Sequence, residues 1–121
     1  MSILVVEDDA AILETLGMVL DAFHYDHVLL DQAEQVIPEL KRQWPELILL
    51  DLTLKTVRGE EVLQSIQKEF GQVPEIIVLS AAHELSQRVA QMPGVRFLRK
   101  PYTIESLVGL IDQVFKKKGA A

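Results

Sequence analysis

Short apolar runs alternate with stretches of helical spacing along this chain, and that alternation restricts its fold more than any other feature. Four runs stand out: Ile3-Leu4-Val5-Val6, Leu47-Ile48-Leu49-Leu50, Ile76-Ile77-Val78-Leu79 and the weaker Val95-Arg96-Phe97-Leu98, with Val28-Leu29-Leu30 as a fifth. Unbroken runs of this length, rich in β-branched residues, suit strands covered on both faces. Between them lie apolar stripes at helical spacing. Ile12, Leu16, Val19, Leu20 and Phe23 form one, Val62, Ile66 and Phe70 another, and Ile104, Leu107, Val108, Ile111, Val114 and Phe115 the longest. Asp31 with Glu34 reads as a capping box opening a second helix through Val36, Ile37, Leu40 and Trp44, which Pro38 should kink or weaken. Glu84 to Met92 carries only Leu85, Val89 and Met92 at helical spacing.

The pattern therefore predicts five βα units: an α/β fold with a parallel sheet, right-handed crossovers and helices on both faces. Turn signals fall between the units, at Trp44-Pro45, Arg58-Gly59, Val73-Pro74, Met92-Pro93-Gly94 and Lys100-Pro101. With 121 residues and no linker or repeat, one domain is expected over 1–121, without an output domain.

Charge and composition exclude several classes. Eighteen acids against twelve bases give a net charge of −6, which argues against direct nucleic-acid binding. The basic run Lys116-Lys117-Lys118 suits a solvated helix end. Cysteine is absent, so disulfides, thiolate metal sites and cysteine nucleophiles are excluded. No run approaches the ~18–20 apolar residues that cross a bilayer, and Met1-Ser2 leads into an apolar run without a basic region. The expectation is a cytoplasmic protein with no membrane partner.

In a parallel sheet all strand C-termini share one rim, where sites form. Glu7-Asp8-Asp9 follows the first strand, Asp51 the third, Ser80 the fourth and Lys100-Pro101 the fifth. Singly, each has an ordinary structural use, and Asp9 reads as a helix N-cap. Together they put several carboxylates, a hydroxyl and an ammonium on one edge, a charge pattern that caps alone do not generate. Two carboxylates ~4 Å apart repel by about 4 kcal/mol at an effective dielectric of about 20, so the cluster needs a cation. Hard oxygen donors without His or Cys select Mg2+ or Mn2+. A divalent ion beside a lysine and a hydroxyl suits a phosphoryl group. With no Gly-rich loop to hold a nucleotide, the phosphoryl group must arrive small or attached to another protein, with a carboxylate as its nucleophilic acceptor.

Ile3-Leu4-Val5-Val6-Glu7-Asp8-Asp9, Leu47-Ile48-Leu49-Leu50-Asp51-Leu52, Ile76-Ile77-Val78-Leu79-Ser80-Ala81 and Phe97-Leu98-Arg99-Lys100-Pro101-Tyr102 resemble, in order and over essentially the whole chain, the receiver domain of two-component response regulators. The resemblance implies a doubly wound, flavodoxin-like (βα)5 fold with strand order 2-1-3-4-5. It implies that Asp51 accepts a phosphoryl group from a phosphohistidine on a histidine kinase or phosphotransfer protein. Mg2+ would be held by Asp8, Asp51 and the Thr53 carbonyl, with Glu7 helping through water. Ser80 would hydrogen-bond the phosphoryl group, Ala81 would leave it room, and Lys100 would neutralise it. Phe97 would turn inward as Ser80 moves, switching the face built from the fourth helix, fifth strand and fifth helix. A cis Lys100–Pro101 bond is implied too. So are a downstream effector or fused output domain as partner, a phosphorylation-dependent homodimer, and a signalling module, not a turnover enzyme.

The sequence departs from the family pattern in places. Lys55 stands where Pro is usual and Arg58 where Asp is usual, and Pro93-Gly94-Val95-Arg96 replaces an acidic tract. The family's lifetime-tuning positions are Thr53 and Ala82. His24, His27 and His83 match no family role. Two other classes share parts of this pattern: a degenerate receiver that binds partners without phosphorylation, and a flavodoxin-like cofactor carrier. The acidic Glu7-Asp8-Asp9 loop would repel the carrier's phosphate.

Overall fold

The computed structural model describes residues 2–52, 54, 55, 57–81 and 94–119. In chain order these form β1 (Ser2–Val6), α1 (Ala10–Ala22), β2 (Asp26–Leu30), a 3-10 turn (Ala33–Gln35), α2 (Val36–Arg42), β3 (Leu47–Asp51), α3 (Gly59–Phe70), β4 (Glu75–Ala81), β5 (Arg96–Lys100) and a C-terminal helix (Ile104–Gly119). The five strands pair in the order β2-β1-β3-β4-β5, all parallel. The helix expected from Glu84 to Met92 lies outside the described residues, as do Thr53, Ala82 and His83.

The alternating pleat of β1, β3 and β4 feeds two cores. Ile3, Val5, Leu47, Leu49, Ile77 and Leu79 face Leu16 and Leu20 of α1 and Leu107, Ile111 and Val114 of the C-terminal helix. Leu4, Val6, Ile48, Leu50, Ile76 and Val78 face Val36 and Leu40 of α2 and Val62, Leu63 and Ile66 of α3. This two-sided burial is why the central runs are unbroken, whereas the edge strands β2 and β5 are only partly buried and polar at several positions.

Local signals explain the ends of the helices. The Asp9 carboxylate accepts the Ile12 N–H at 3.0 Å and caps α1. Gly71, at φ 71°, closes α3 by donating to Gln67 O at 2.8 Å. Thr103 and Ser106 bond reciprocally at the start of the C-terminal helix: Ser106 N–H donates to Thr103 Oγ1 at 3.0 Å and Thr103 N–H to Ser106 Oγ at 3.1 Å.

Two expectations for helices need correction. Asp31 is not the helix N-cap: it precedes a 3-10 turn whose N-cap is Gln32, with no side-chain cap bond. Pro38 is the third residue of α2, in the first turn, where its missing N–H falls among the helix's unpaired donors and is tolerated. The helix ends at Arg42, and Trp44 lies beyond it, edge-on to Phe70 at 5.2 Å. In α1 the buried face is Leu16, Gly17 and Leu20 with Leu13 beside it, while Ile12 and Phe23 are 37% and 48% exposed.

Candidate functional site

β1 is flanked by β2 on one side and β3 on the other, so the crevice at the C-terminal ends of β1 and β3 is the topological switch point of the sheet. Glu7 and Asp8 follow β1 directly, and Asp51 is the last residue of β3. One carboxylate oxygen from each of the three lies within 4.8 Å of the others. Glu7 and Asp51 are each only 2% exposed, and Asp8 is half-buried.

Sheet parity explains the convergence. Asp51 continues the face of Leu47 and Leu49, and Lys100 continues that of Leu98, and both faces belong to the core under α1 and the C-terminal helix. Lys100 Nζ reaches Asp51 Oδ2 at 3.4 Å, although β4 lies between their strands. The long lysine arm, the Asp51 side chain and the gap between them together cover the ~9–10 Å that two strand spacings require. Ser80, fully buried on β4, has the opposite parity and is the register partner of Arg99. It stands one residue beyond Leu79, the partner of Asp51.

The electrostatics are those of a site short of positive charge. Glu7 Oε1 accepts the Asp9 N–H at 3.1 Å, whereas Glu7 Oε2 is buried with no hydrogen-bond partner among the described residues. Burial, and then the neighbouring Asp51 carboxyl, push the Glu7 carboxyl up from 4.5 to about 8. Two carboxylates can bond each other only through a proton, so the bare Oε2 calls for a shared proton or a cation. Three oxygen-donor side chains without His or Cys fit a hard divalent ion.

Two participants escaped the sequence. Tyr102, half-buried after β5, has its hydroxyl pushed up by burial and then by the charges of Glu7 and Asp51, which puts the ring beside the cluster. The order Lys100-Pro101-Tyr102 already carried it to the rim, but a tyrosine packed in a core has no distinguishing sequence signal. The second is the Lys55 backbone N–H, which donates to Asp8 Oδ2 at 2.6 Å. A backbone donor leaves no residue signature except the absence of proline.

Of the other expected site residues, Phe97 is 51% exposed on β5, so it is not a core residue here. The Lys100–Pro101 bond is cis. Thr53 lies outside the described residues. His24 is exposed, and His27 is largely covered between β2 and α1, its Nδ1 2.9 Å from Tyr25 O.

A parallel 2-1-3-4-5 sheet with an acidic cluster at its switch point and a lysine at the end of the fifth strand is a doubly wound, flavodoxin-like architecture with a charged rim. The chain belongs to the response regulator receiver domain family of two-component systems, whose family model matches residues 3–112. The "Probable transcriptional regulator ycf27" of Porphyridium aerugineum is 31% identical over 117 residues, covering 95% of this chain and 48% of that relative. "Response regulator MprA" of Mycobacterium leprae is 29% identical over 119 residues, 97% of this chain and 52% of that one. The chain thus spans about half the length of the curated relatives it matches. Among solved structures, the response regulator receiver domain protein of Clostridium thermocellum superposes with a TM-score of 0.85 at 20% identity, covering 98% of this chain and 97% of that one. Among the described residues, no helix is long and apolar enough to cross a membrane.

Proposed function

We propose that the chain is a single, phosphorylatable receiver that takes a phosphoryl group from a phosphohistidine of a histidine kinase or phosphotransfer protein onto Asp51. The P–N bond to the imidazole breaks and a P–O bond to an Asp51 carboxylate oxygen forms, giving an acyl phosphate and a free imidazole. The observation that carries this reading is the buried Asp51 carboxylate with the Lys100 ammonium at 3.4 Å and the Glu7 and Asp8 carboxylates beside it.

Each residue has a distinct part. Asp51, held at a strand end and shielded from water, is the acceptor. The Lys100 ammonium neutralises charge on the equatorial phosphoryl oxygens, where a loose transition state spreads it. The Ser80 hydroxyl donates to one of those oxygens. Asp8 and Asp51, with the Thr53 carbonyl and Glu7 through water, would hold Mg2+ or Mn2+. That ion, when bound, supplies charge neutralisation between acceptor and phosphoryl group. Movement of Ser80 toward the phosphoryl group would let the exposed Phe97 turn inward and so report the state of Asp51 to a downstream effector or an output domain.

The test is incubation with acetyl phosphate and Mg2+, read by intact mass. The wild type should gain one hydroxylamine-labile phosphoryl group, and Asp51→Asn should gain none. Equal labelling of the variant removes Asp51 as acceptor, and no labelling of the wild type favours a receiver that binds partners without phosphorylation.

A further inference from the structure

Three carboxylates form the acidic cluster, but they are not equally well fixed. Glu7 and Asp51 are buried to within 2% of complete coverage, held by the packing around the ends of β1 and β3. Asp8 is half-buried, on a short side chain just past the end of β1. Without a partner, its carboxylate would turn toward water. Among the described residues its hydrogen-bond partner is the Lys55 backbone N–H, at 2.6 Å across 47 residues of sequence, a bond strengthened by the carboxylate's charge.

We propose that the backbone N–H of Lys55 is the positioning group of the cluster, holding Asp8 in place for the cation and so tying the β3–α3 loop to the state of the site. The inference rests on the reading of Glu7, Asp8 and Asp51 as a cation site and deepens it. It concerns a group that acts through Asp8 without touching the phosphoryl group. With Oδ2 of Asp8 engaged by the loop, the other oxygen is left for a cation, and the carboxylate no longer has to be ordered at the moment of binding. Groups that orient a metal ligand in this way commonly matter to affinity by about 10–100-fold.

The two ends of Lys55 then act in opposite directions. Its side chain is exposed and lines a cleft of about 320 Å³ with Asp8, Asp31 and Glu34. There the ammonium competes with a divalent ion for the same acidic field, while the amide prepares Asp8 to receive it. Residue type at this position therefore matters twice. Any residue except proline keeps the amide, and only a basic one adds the competing charge.

The experiment compares Lys55→Ala, which keeps the N–H and removes the charge, with Lys55→Pro, which removes both. Mg2+ binding is measured by titration calorimetry on each folded variant, checked by circular dichroism in EDTA. Lys55→Ala should bind as wild type or more tightly, and Lys55→Pro about tenfold more weakly than Lys55→Ala. Equal affinities of the two variants overturn the proposal. Hydrogen exchange of the Lys55 amide in the metal-free protein gives a separate reading, which holds if Lys55→Pro fails to fold. The amide should be protected in wild type and lose protection in Asp8→Ala, and exchange at a free-loop rate in wild type overturns the proposal. Protection of that amide without any Mg2+ binding by wild type overturns the cation reading and, with it, the assigned purpose of the bond.

Discussion

Lys100 and Asp51 meet at 3.4 Å from strands that are not neighbours, the lysine reaching over β4 to a carboxylate that is only 3% exposed. The lysine itself keeps 30% of its side chain accessible, so its charge faces both the acid and the approach to it. Replacing it by methionine keeps much of the packing volume and deletes the charge. Lys100→Met should bind Mg2+ more tightly, because one competing cation is gone. It should nevertheless be phosphorylated by acetyl phosphate about 10²-fold more slowly, the usual cost of removing one charge-stabilising group from a transition state. Calorimetry and the rate of mass gain measure the two effects. A fall in both affinity and rate would mean that Lys100 serves only to hold the site together.

Glu7 links stability to pH. Its carboxyl is pushed up from 4.5 to about 8 by burial and by Asp51. Between those values the folded chain keeps a proton that the unfolded chain has lost, so stability falls as pH rises across the window. The contribution is full below pH 4.5 and lost as pH climbs through about 8. Urea melts in EDTA should show wild type losing on the order of 1–3 kcal/mol relative to Glu7→Gln between pH 5 and about 8. Added Mg2+ should stabilise wild type more at the upper end, where no proton has to leave. Parallel pH profiles for the two proteins would contradict the assignment.

Much of this was legible from the chain, for reasons that also explain what was not. β1, β3 and β4 are buried on both faces, so their runs announce them. Glu7, Asp8, Asp51, Ser80 and Lys100 all follow or end strands, and a parallel sheet gathers the C-terminal ends of its strands on one rim. The exposed face of α1 was misjudged because the helix is apolar nearly all round, and Ile12, Leu13 and Leu16 offer two stripes that differ by one residue step. Asp31 and Glu34 match a capping box by type, but the chain enters a 3-10 turn there. The Lys55 amide left no sign beyond the absence of proline, since its bond to Asp8 belongs to the backbone.

Gly59 opens α3 against the end of β3. A Cβ there would lie 2.6 Å from Leu52 Cδ2, 3.2 Å from Leu52 Cα and 3.5 Å from Asp51 O. Leu52 is 2% exposed, and its backbone cannot withdraw without moving the end of β3 that carries Asp51. Gly59→Ala should cost about 1–3 kcal/mol by overpacking and slow acetyl phosphate labelling as well. Urea unfolding and mass labelling check both, and an unchanged stability would show that Leu52 gives way freely.

His24 sits at φ 62° directly after the end of α1, in the left-handed region that favours glycine. Its side chain is exposed, so little contact is lost on removing it. His24→Gly should stabilise the fold by about 0.5–1 kcal/mol, the relief of backbone strain less the added freedom of the unfolded chain. The site is remote in the fold, and phosphorylation should be unaffected. A loss of stability in urea would assign the imidazole a contact of its own.

Phe97 is the last point at which the proposed switch can be tested. It is 51% exposed on β5, and its register partner is the fully buried Val78, on the same sheet face as Ser80. Leaving so large an aromatic surface in water is costly, at roughly 25 cal/mol per Å² of apolar area. Any rearrangement near Ser80 that opens space for the ring therefore has a ready driving force. A tryptophan at this position, in a Trp44→Phe background, would emit as a solvent-exposed indole in the resting protein. Addition of beryllium fluoride with Mg2+, a phosphoryl mimic for Asp51, should shift that emission to the blue and reduce its quenching by iodide. The same addition to a protein that also carries Asp51→Asn should do neither. If the wild-type site binds the mimic and the indole stays fully quenchable, Phe97 does not turn inward, and the signal must leave the domain by another surface.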